Sequence, residues 1–146
     1  MKQLLYLKDD QLKDLIEKLF IGYRETFSDS KKILNKYKIG IAHQKVIHLL
    51  SMYEGISISE LLKRLKVTKQ SLNRVLRDLI KTKMIKQVQD ENDTRKKNLF
   101  LDKEGKIFFE TVYSAQKKRI FNALKNSGSD SVIKFKDVLK KIINGK

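Results

Sequence analysis

The length, composition and charge of the chain exclude several classes of protein. With 146 residues, 40% of them hydrophobic, the chain is long enough for one domain with a core and too apolar to be disordered. It has no cysteine, which excludes disulfides, thiolate metal sites and thiol redox switches. The sequence has no apolar run of the ~20 residues that a membrane span needs. Its first residues lack a signal-peptide core, so we expect a cytoplasmic protein without membrane partners.

The net charge of +16 predicts a polyanionic partner, most simply nucleic acid. A lysine-rich composition can also result from the codon usage of an AT-rich genome, which would spread the charge evenly along the chain. In residues 61–86, however, nine bases accompany a single acid, Asp78. This clustering favours a functional basic surface.

The first third of the chain predicts three helices. Apolar residues recur at steps of three and four over residues 12–27, which is one face of a long amphipathic helix. Asp9 or Asp10 is its expected N-cap. A short second helix is expected to end near Gly40, since glycine suits the end of a helix. A third helix follows and stops near Gly55.

The middle of the chain predicts two short helices joined by a tight turn. Ser57 lies three residues before Glu60, the spacing of a capping box, so a helix is expected through residues 61–65. Residues 66–68 form the turn, and Thr68 is positioned to cap the next helix. The predicted buried stripe of that helix is Leu72, Val75, Leu76, Leu79 and Ile80.

Two predicted strands, residues 85–89 and 98–101, flank a charged segment and form a hairpin. Asp102 is expected to cap a helix that runs to about residue 124, and residues 126–130 should break it before a last amphipathic helix. The expected fold is therefore mainly α, with a small β-hairpin. The long helices at both ends can complete a small central core by packing against a second copy of the chain.

The helix after Thr68 carries a polar face opposite its apolar stripe. An α-helix fits the major groove of B-DNA, where the side chains of its first turns reach base edges. Asn and Gln can pair with adenine, and Arg or Lys with guanine, whereas Ser and Thr are short enough for phosphate or close base contacts. Arg77, further along the helix, is expected to meet phosphates. A solvated helix face is the alternative, but the short capped helix and the turn before it favour DNA binding. The predicted contact residues are Thr68, Lys69, Gln70, Ser71, Asn73, Arg74 and Arg77.

The hairpin tip, residues 90–97, holds acids and bases side by side. Next to a helix in the major groove, such a tip falls over the neighbouring minor groove, whose negative potential attracts arginine. Asp93 is expected to hold the Arg95 guanidinium in place, and Asp90 and Glu91 to shape the turn. The alternative is a solvated loop with incidental ion pairs. The predicted contacts of the tip are Arg95 in the groove, with Lys96 and Lys97 on the flanking phosphates.

The remaining polar and aromatic residues predict neither a metal site nor an enzyme. His43 and His48 are five residues apart, about 140° around a helix, which is a poor arrangement for one metal ion. The sequence has no phosphate-binding glycine loop, nucleophile elbow or HExxH motif, so we expect no cofactor and no catalysis. Several aromatic residues have the helical spacing of core or dimer packing, with an effector pocket as the alternative. They are Phe20, Tyr23, Phe108, Phe109, Tyr113 and Phe121.

Residues 56–105, "ISISELLKRLKVTKQSLNRVLRDLIKTKMIKQVQDENDTRKKNLFLDKEG", resemble the winged helix-turn-helix core of the MarR family of bacterial transcription regulators. The wing of that family carries an acid, any residue and an arginine, followed by alternating leucines, a helix-capping position and a glycine. The capping position is usually threonine, whose role aspartate can fill. The likeness extends over residues 40–110 and, more loosely, to both end helices. The matching residues are Asp93, Arg95, Leu99, Leu101, Asp102 and Gly105.

The resemblance implies a homodimer with two winged helix-turn-helix cores. The end helices, in residues 1–38 and 103–146, would interlock between chains, and the cores, residues 39–102, would read a palindrome with half-sites about 34–36 Å apart. It also implies that the helix after Thr68 enters the major groove and that Arg95 enters the minor groove. Many relatives release DNA when a small aromatic acid or phenol binds between the dimer helices and the winged core. Others sense oxidants through cysteine, which this chain lacks.

Two other nucleic-acid-binding functions are alternatives at this point. An architectural, nucleoid-coating protein would share the charge and the dimer but show little sequence preference. An RNA-binding winged helix would lack a major-groove reader, because the major groove of RNA is too narrow. The polar first turns of the helix after Thr68 favour DNA over RNA.

Overall fold

The computed structural model describes residues 4–146, which form two compact units. The helical unit takes the chain up to Asp29 and from Ser114 onward, and the central unit is Ser30–Tyr113. The central unit contains a three-stranded antiparallel sheet, so the predicted mainly-α fold with a small β-hairpin is confirmed. In chain order the elements are α1 (Asp9–Ser28), α2 (Lys31–Tyr37), α3 (Ile41–Met52), β1 (Ile56–Ser57), α4 (Ile58–Leu65), α5 (Lys69–Lys81), β2 (Ile85–Gln89), β3 (Lys97–Leu101), α6 (Lys103–Lys125) and α7 (Ser129–Asn144), with a 3-10 turn at Leu5–Leu7 before α1.

The start of α1 differs from the prediction. Its N-cap residue is Lys8, and Asp9 and Asp10 lie in the first turn, so the expectation that one of these aspartates caps the helix is wrong. Their carboxylates lie instead near the positive end of the helix dipole, where negative charge stabilises a helix.

Polar contacts join α6 to the end of α1 within the helical unit. The Arg119 guanidinium donates two hydrogen bonds to the Asp29 carboxylate, at 2.6 and 2.9 Å, and these bonds lower the pKa of Asp29. The side-chain amide of Gln116 donates to the carbonyl oxygen of Thr26 at 3.1 Å. None of the described residues of the helical unit is fully buried, and many of its large apolar side chains remain exposed.

The connection between α2 and α3 uses lysine where glycine was expected. Helix α2 ends at Tyr37, and Lys38 adopts the left-handed conformation with φ 58°. Helix α2 therefore ends near Gly40 as predicted, but Gly40 itself is extended and is the N-cap of α3. Gly55, with φ 84°, follows α3 as predicted.

Helices α4 and α5 form the predicted helix-turn-helix. The Ser57 hydroxyl accepts a hydrogen bond from the backbone N–H of Glu60 at 3.2 Å, which caps α4. Lys66 turns the chain with φ 51°, and Thr68 caps α5. The expected apolar stripe of α5 is buried at Leu72, Leu76 and Leu79 and partly buried at Val75. Ile80 is 42% exposed, so its predicted burial is wrong.

Strands β2 and β3 form the predicted hairpin, and β1 is a third strand that the sequence analysis missed. The sheet order is β1-β3-β2, with Ile56 of β1 and Gln87 of β2 both opposite Leu99 of β3. Leu99 is fully buried. A strand of two residues next to a capping motif has no alternation for a sequence pattern to reveal.

The core lies in the central unit. Every buried apolar side chain of the described residues belongs to it, including Phe108, whose ring meets that of Tyr37 edge-on at 5.0 Å. The backbone carbonyl oxygen of Asp102 accepts the N–H of Lys106 at 3.0 Å, so α6 begins at Asp102 as predicted, and its carboxylate accepts the N–H of the next residue, Lys103, at 2.8 Å. Gly128, with φ 84°, separates α6 from α7. Among residues 4–146, no helix is long and apolar enough to cross a bilayer.

Candidate nucleic-acid interface

The polar face of α5 is exposed along its whole length. All seven residues predicted to bind DNA on this helix and at its cap are exposed, whereas Leu72, Leu76 and Leu79 on the opposite face are buried. The core therefore fixes the helix by its apolar stripe and leaves the polar stripe at the surface. The exposed residues are Thr68, Lys69, Gln70, Ser71, Asn73, Arg74 and Arg77.

Two of these residues form the cap of α5. The Thr68 hydroxyl accepts the backbone N–H of Ser71 at 3.1 Å and donates to the Ser71 hydroxyl at 2.8 Å. The O–H of Ser71 donates no hydrogen bond in this contact, because the Ser71 oxygen is the acceptor. Thr68 therefore positions the start of the helix, and Ser71 retains a donor for a ligand.

The longer polar side chains of α5 have no partner within the described part of the chain. Neither the Gln70 nor the Asn73 amide forms a hydrogen bond to residues 4–146, and Lys69, Arg74 and Arg77 form no ion pair with them. These amides and cations are available to an external ligand. An amide can pair with the edge of adenine, and a guanidinium with that of guanine.

The Asp90 carboxylate organises the tip of the β2–β3 hairpin, as predicted. One oxygen accepts the backbone N–H groups of Asn92 at 2.9 Å and Asp93 at 3.2 Å, and the other accepts the Asn98 side-chain amide at 3.2 Å. The bond from Asn92, followed by that from Asn98, lowers the pKa of Asp90. Asp90 thus acts as an ionised acceptor that closes the loop.

The Asp93 carboxylate has a different partner from the predicted one. It accepts the backbone N–H of Arg95 at 3.0 Å, and no carboxylate among residues 4–146 pairs with the Arg95 guanidinium. The expected ion pair is therefore absent, because an aspartate readily accepts the N–H two residues ahead in a turn. The exposed guanidinium keeps its full charge for an external anion.

A cleft of about 300 Å³ joins the start of α5 to the hairpin. Lys69 and Asn73 of α5 line one side, and Arg95, Lys96 and Lys97 of the hairpin line the other.

The start of α4 completes this cleft. The cap residue Ser57 and the α4 residue Ser59, whose hydroxyls lie 3.2 Å apart, were not among the predicted site residues. The capping motif identified Ser57 as a helix start, but only the fold brings it beside the hairpin. The remaining lining residues are Ile58 and Leu62.

The surface around this cleft is strongly basic. All nine bases of residues 61–86 are exposed. The Arg64 guanidinium lies 3.9 Å from the centre of the Tyr53 ring, and Lys63 pairs with Glu60 at 3.5 Å. The single acid of α5, Asp78, is 2.9 Å from Nε2 of His43. Most of the positive charge here is therefore unneutralised.

The two histidines occupy separate environments. His43 contacts α5 through Asp78, whereas the His48 ring lies edge-on to that of Phe109 at 6.1 Å. Desolvation lowers the pKa of His48, which favours the neutral imidazole. Within residues 4–146, no cluster of three or more His, Asp or Glu residues is placed to hold a metal ion.

Comparisons with known proteins identify the family. The MarR family model matches residues 43–96. The HTH-type transcriptional regulator PetP of Rhodobacter capsulatus is 35% identical over 141 residues, which cover 97% of this chain and 85% of PetP. The crystal structure of NadR in complex with 4-hydroxyphenylacetate has a TM-score of 0.76 and 20% identity, with 97% of each chain covered.

The structure of an E. coli MarR mutant complexed with operator DNA has a TM-score of 0.68 and 21% identity, and the match covers 96% of this chain and 99% of that one. At these identities the two solved structures establish the fold, whereas PetP establishes relatedness along almost the whole chain. The matched MarR region contains the helix-turn-helix and residues 90–96 of the hairpin tip, which include Asp93 and Arg95. The protein belongs to the MarR family of HTH-type transcriptional regulators.

Proposed function

We propose that this regulator acts in the cytoplasm as a homodimer on palindromic duplex DNA, with α5 in the major groove and the β2–β3 wing in the minor groove. The observation that carries this proposal is the shared cleft, in which Lys69 and Asn73 of α5 face the same space as Arg95, Lys96 and Lys97 of the wing. A helix and an adjacent basic hairpin of this kind match two neighbouring grooves of B-DNA.

The side chains divide into two roles. Gln70, Asn73 and Arg74 have planar amide or guanidinium ends that form paired hydrogen bonds with base edges, and they supply sequence preference. Lys69, Arg77 and the wing lysines neutralise phosphates and supply most of the affinity, which falls as salt rises because bound counterions are released.

The helical unit supplies the dimer contact. Its apolar side chains are exposed, among them Ile16 and Phe20 of α1 and Ile143 of α7. A second copy of the chain, related by a twofold axis, would cover the same side chains on both partners. That symmetry requires an operator made of two inverted half-sites.

A small aromatic acid is the proposed effector. NadR, which has the same fold, was crystallised with 4-hydroxyphenylacetate. This compound is therefore the first one to test for release of DNA.

Family membership points to a regulator rather than an enzyme.

Selection of bound duplexes from a random-sequence pool tests the proposed function. The wild-type protein should enrich a palindrome, and Asn73→Ala and Arg74→Ala should each lose preference at particular positions, about 1–3 kcal/mol per altered base pair. Arg77→Ala is the matched control, since the loss of a phosphate contact weakens binding to all sequences about equally.

The other outcomes separate the alternatives. Strong binding without an enriched sequence would indicate an architectural protein, and stronger binding to an RNA duplex than to DNA would indicate an RNA-binding winged helix. If Asn73→Ala and Arg74→Ala behaved like Arg77→Ala, the face of α5 would bind phosphates only.

A further inference from the structure

His43 connects the start of α3 to α5 through both of its ring nitrogens. Nδ1 accepts the backbone N–H of Gly40, the N-cap residue of α3, at 3.2 Å. Nε2 lies 2.9 Å from a carboxylate oxygen of Asp78. The His43 side chain is 16% exposed, so a largely enclosed imidazole spans two helices of the central unit.

The contact with Gly40 determines which nitrogen carries the hydrogen. Because Nδ1 is the acceptor, a neutral ring must carry its hydrogen on Nε2, which therefore donates to Asp78. The acceptor role of Nδ1 helps to cap α3, where Gly40 has no side chain to do so. The ring is thus held in one orientation, and so is the carboxylate that it contacts.

The competing partner of Asp78 is a residue of the proposed DNA-binding face. Arg74 lies four residues earlier on α5, the spacing at which an acid and a base on one helix form an ion pair. In the structure Asp78 contacts His43, and Arg74 forms no ion pair with any of residues 4–146. Arg77 immediately precedes Asp78 in the sequence, Lys81 lies three residues after it, and both are exposed.

We propose that His43 is a positioning residue for DNA binding, which holds the only acid of α5 against α3 and so leaves Arg74 free for DNA. This inference rests on the proposed function. Without His43, the Asp78 carboxylate turns toward Arg74, and DNA must compete with an internal ion pair for that guanidinium. His43 touches no DNA itself, and its effect passes through Asp78.

A double-mutant cycle on the full-length protein tests this inference. His43→Ala should weaken binding to the selected palindrome about two- to fivefold, as expected for one new Arg–Asp pair in each half-site. In the Asp78→Asn background, the same substitution should have no effect, because no carboxylate remains to compete.

His48→Ala is the matched control, since it removes an imidazole from the same helix, and the His48 ring lies against that of Phe109. Its affinity for the palindrome should equal that of the wild type. Nitrogen NMR of the imidazoles gives a readout independent of DNA, and His43 should show the tautomer protonated at Nε2.

Three results would overturn the inference. An equal loss from His43→Ala in the wild-type and Asp78→Asn backgrounds would mean that His43 acts only through stability. No loss at all, or a His43 ring protonated at Nδ1, would remove its premise. If the wild type bound no duplex, the proposed function would fail and this inference with it, whereas wild-type binding without coupling would refute this inference alone.

Discussion

Gly105, in the first turn of α6, is buried against the backbone of Met84. The carbonyl oxygen of Met84 accepts the N–H of Asp102 at 2.9 Å, which draws the start of the helix onto the residue before β2. A Cβ atom at position 105 would overlap that oxygen and lie 2.9 Å from the carbonyl carbon. Glycine is therefore required at position 105, three residues after Asp102, because this close backbone contact leaves no room for a side chain.

Substitution of this glycine should be costly. Gly105→Ala should lower the free energy of unfolding by about 1–3 kcal/mol, because backbone atoms, unlike a flexible side chain, cannot move aside cheaply. Chemical denaturation followed by circular dichroism measures the change. Lys106→Ala, at the exposed next position, is the control and should stay within about 0.5 kcal/mol of the wild type. Equal stabilities of the two variants would show that α6 is not held this closely to Met84.

At the scale of single elements, the wing shows how its acids and bases coexist. Asp90 and Asp93 accept backbone N–H groups, so these carboxylates shape the loop, and among the described residues neither forms an ion pair with Arg95, Lys96 or Lys97. The N–H of Asp90 also donates to the carbonyl oxygen of Lys96 at 2.9 Å, which extends the ladder between β2 and β3. Arg95, in the loop between β2 and β3, is therefore presented on a backbone that these hydrogen bonds hold in place.

Arg95→Ala should therefore affect DNA and not the fold. We expect a loss of about 1–3 kcal/mol in binding free energy per half-site, greatest where A·T base pairs narrow the minor groove. The melting temperature should stay unchanged, since the backbone contact of residue 95 with Asp93 does not need the guanidinium. Fluorescence anisotropy with the selected palindrome measures the affinity.

Lys36→Ala is the control for this prediction, because it removes one exposed positive charge from α2, away from the wing in sequence. Its effect on affinity should be small. An Arg95→Ala protein that melts at a lower temperature but binds the palindrome like the wild type would contradict the assignment of the wing.

The elements that sequence could predict are those fixed by local chemistry. Ser57, Thr68 and Asp102 begin their helices as predicted, since each cap depends on N–H groups within three residues. The partner of β1 lies more than forty residues away on β3, and no local pattern carries that information. The contact of His43 with Asp78 was missed for the same reason, as was the place of Ser59 in the cleft. Lys38 and Lys66 hold left-handed turns for which sequence statistics favour glycine.

At the scale of the whole molecule, the two units differ in how their apolar residues are covered. The central unit buries its apolar side chains among its own helices and sheet, whereas no described residue of α1 or α7 is buried. Exposed apolar side chains on this scale mark an interaction surface. The periodicity of α1 predicted the amphipathic stripe, but sequence alone could not say that the stripe lacks a cover within the chain.

A charge placed on this stripe should separate the dimer. Phe20 is 60% exposed, and Phe20→Glu would place a carboxylate in the proposed contact twice, once from each chain, where burial of unpaired charge is unfavourable. Sedimentation velocity should then show a monomer. Affinity for the full palindrome should fall by about 10²-fold or more, because two linked half-sites gain from effective concentration. Affinity for a single half-site should be little changed, since the central unit keeps its own core. Lys13→Gln changes the net charge of α1 by the same amount at an exposed polar position and should leave both the dimer and its affinity intact. A Phe20→Glu protein that sediments as a dimer and keeps the affinity of the wild type would move the dimer contact away from α1.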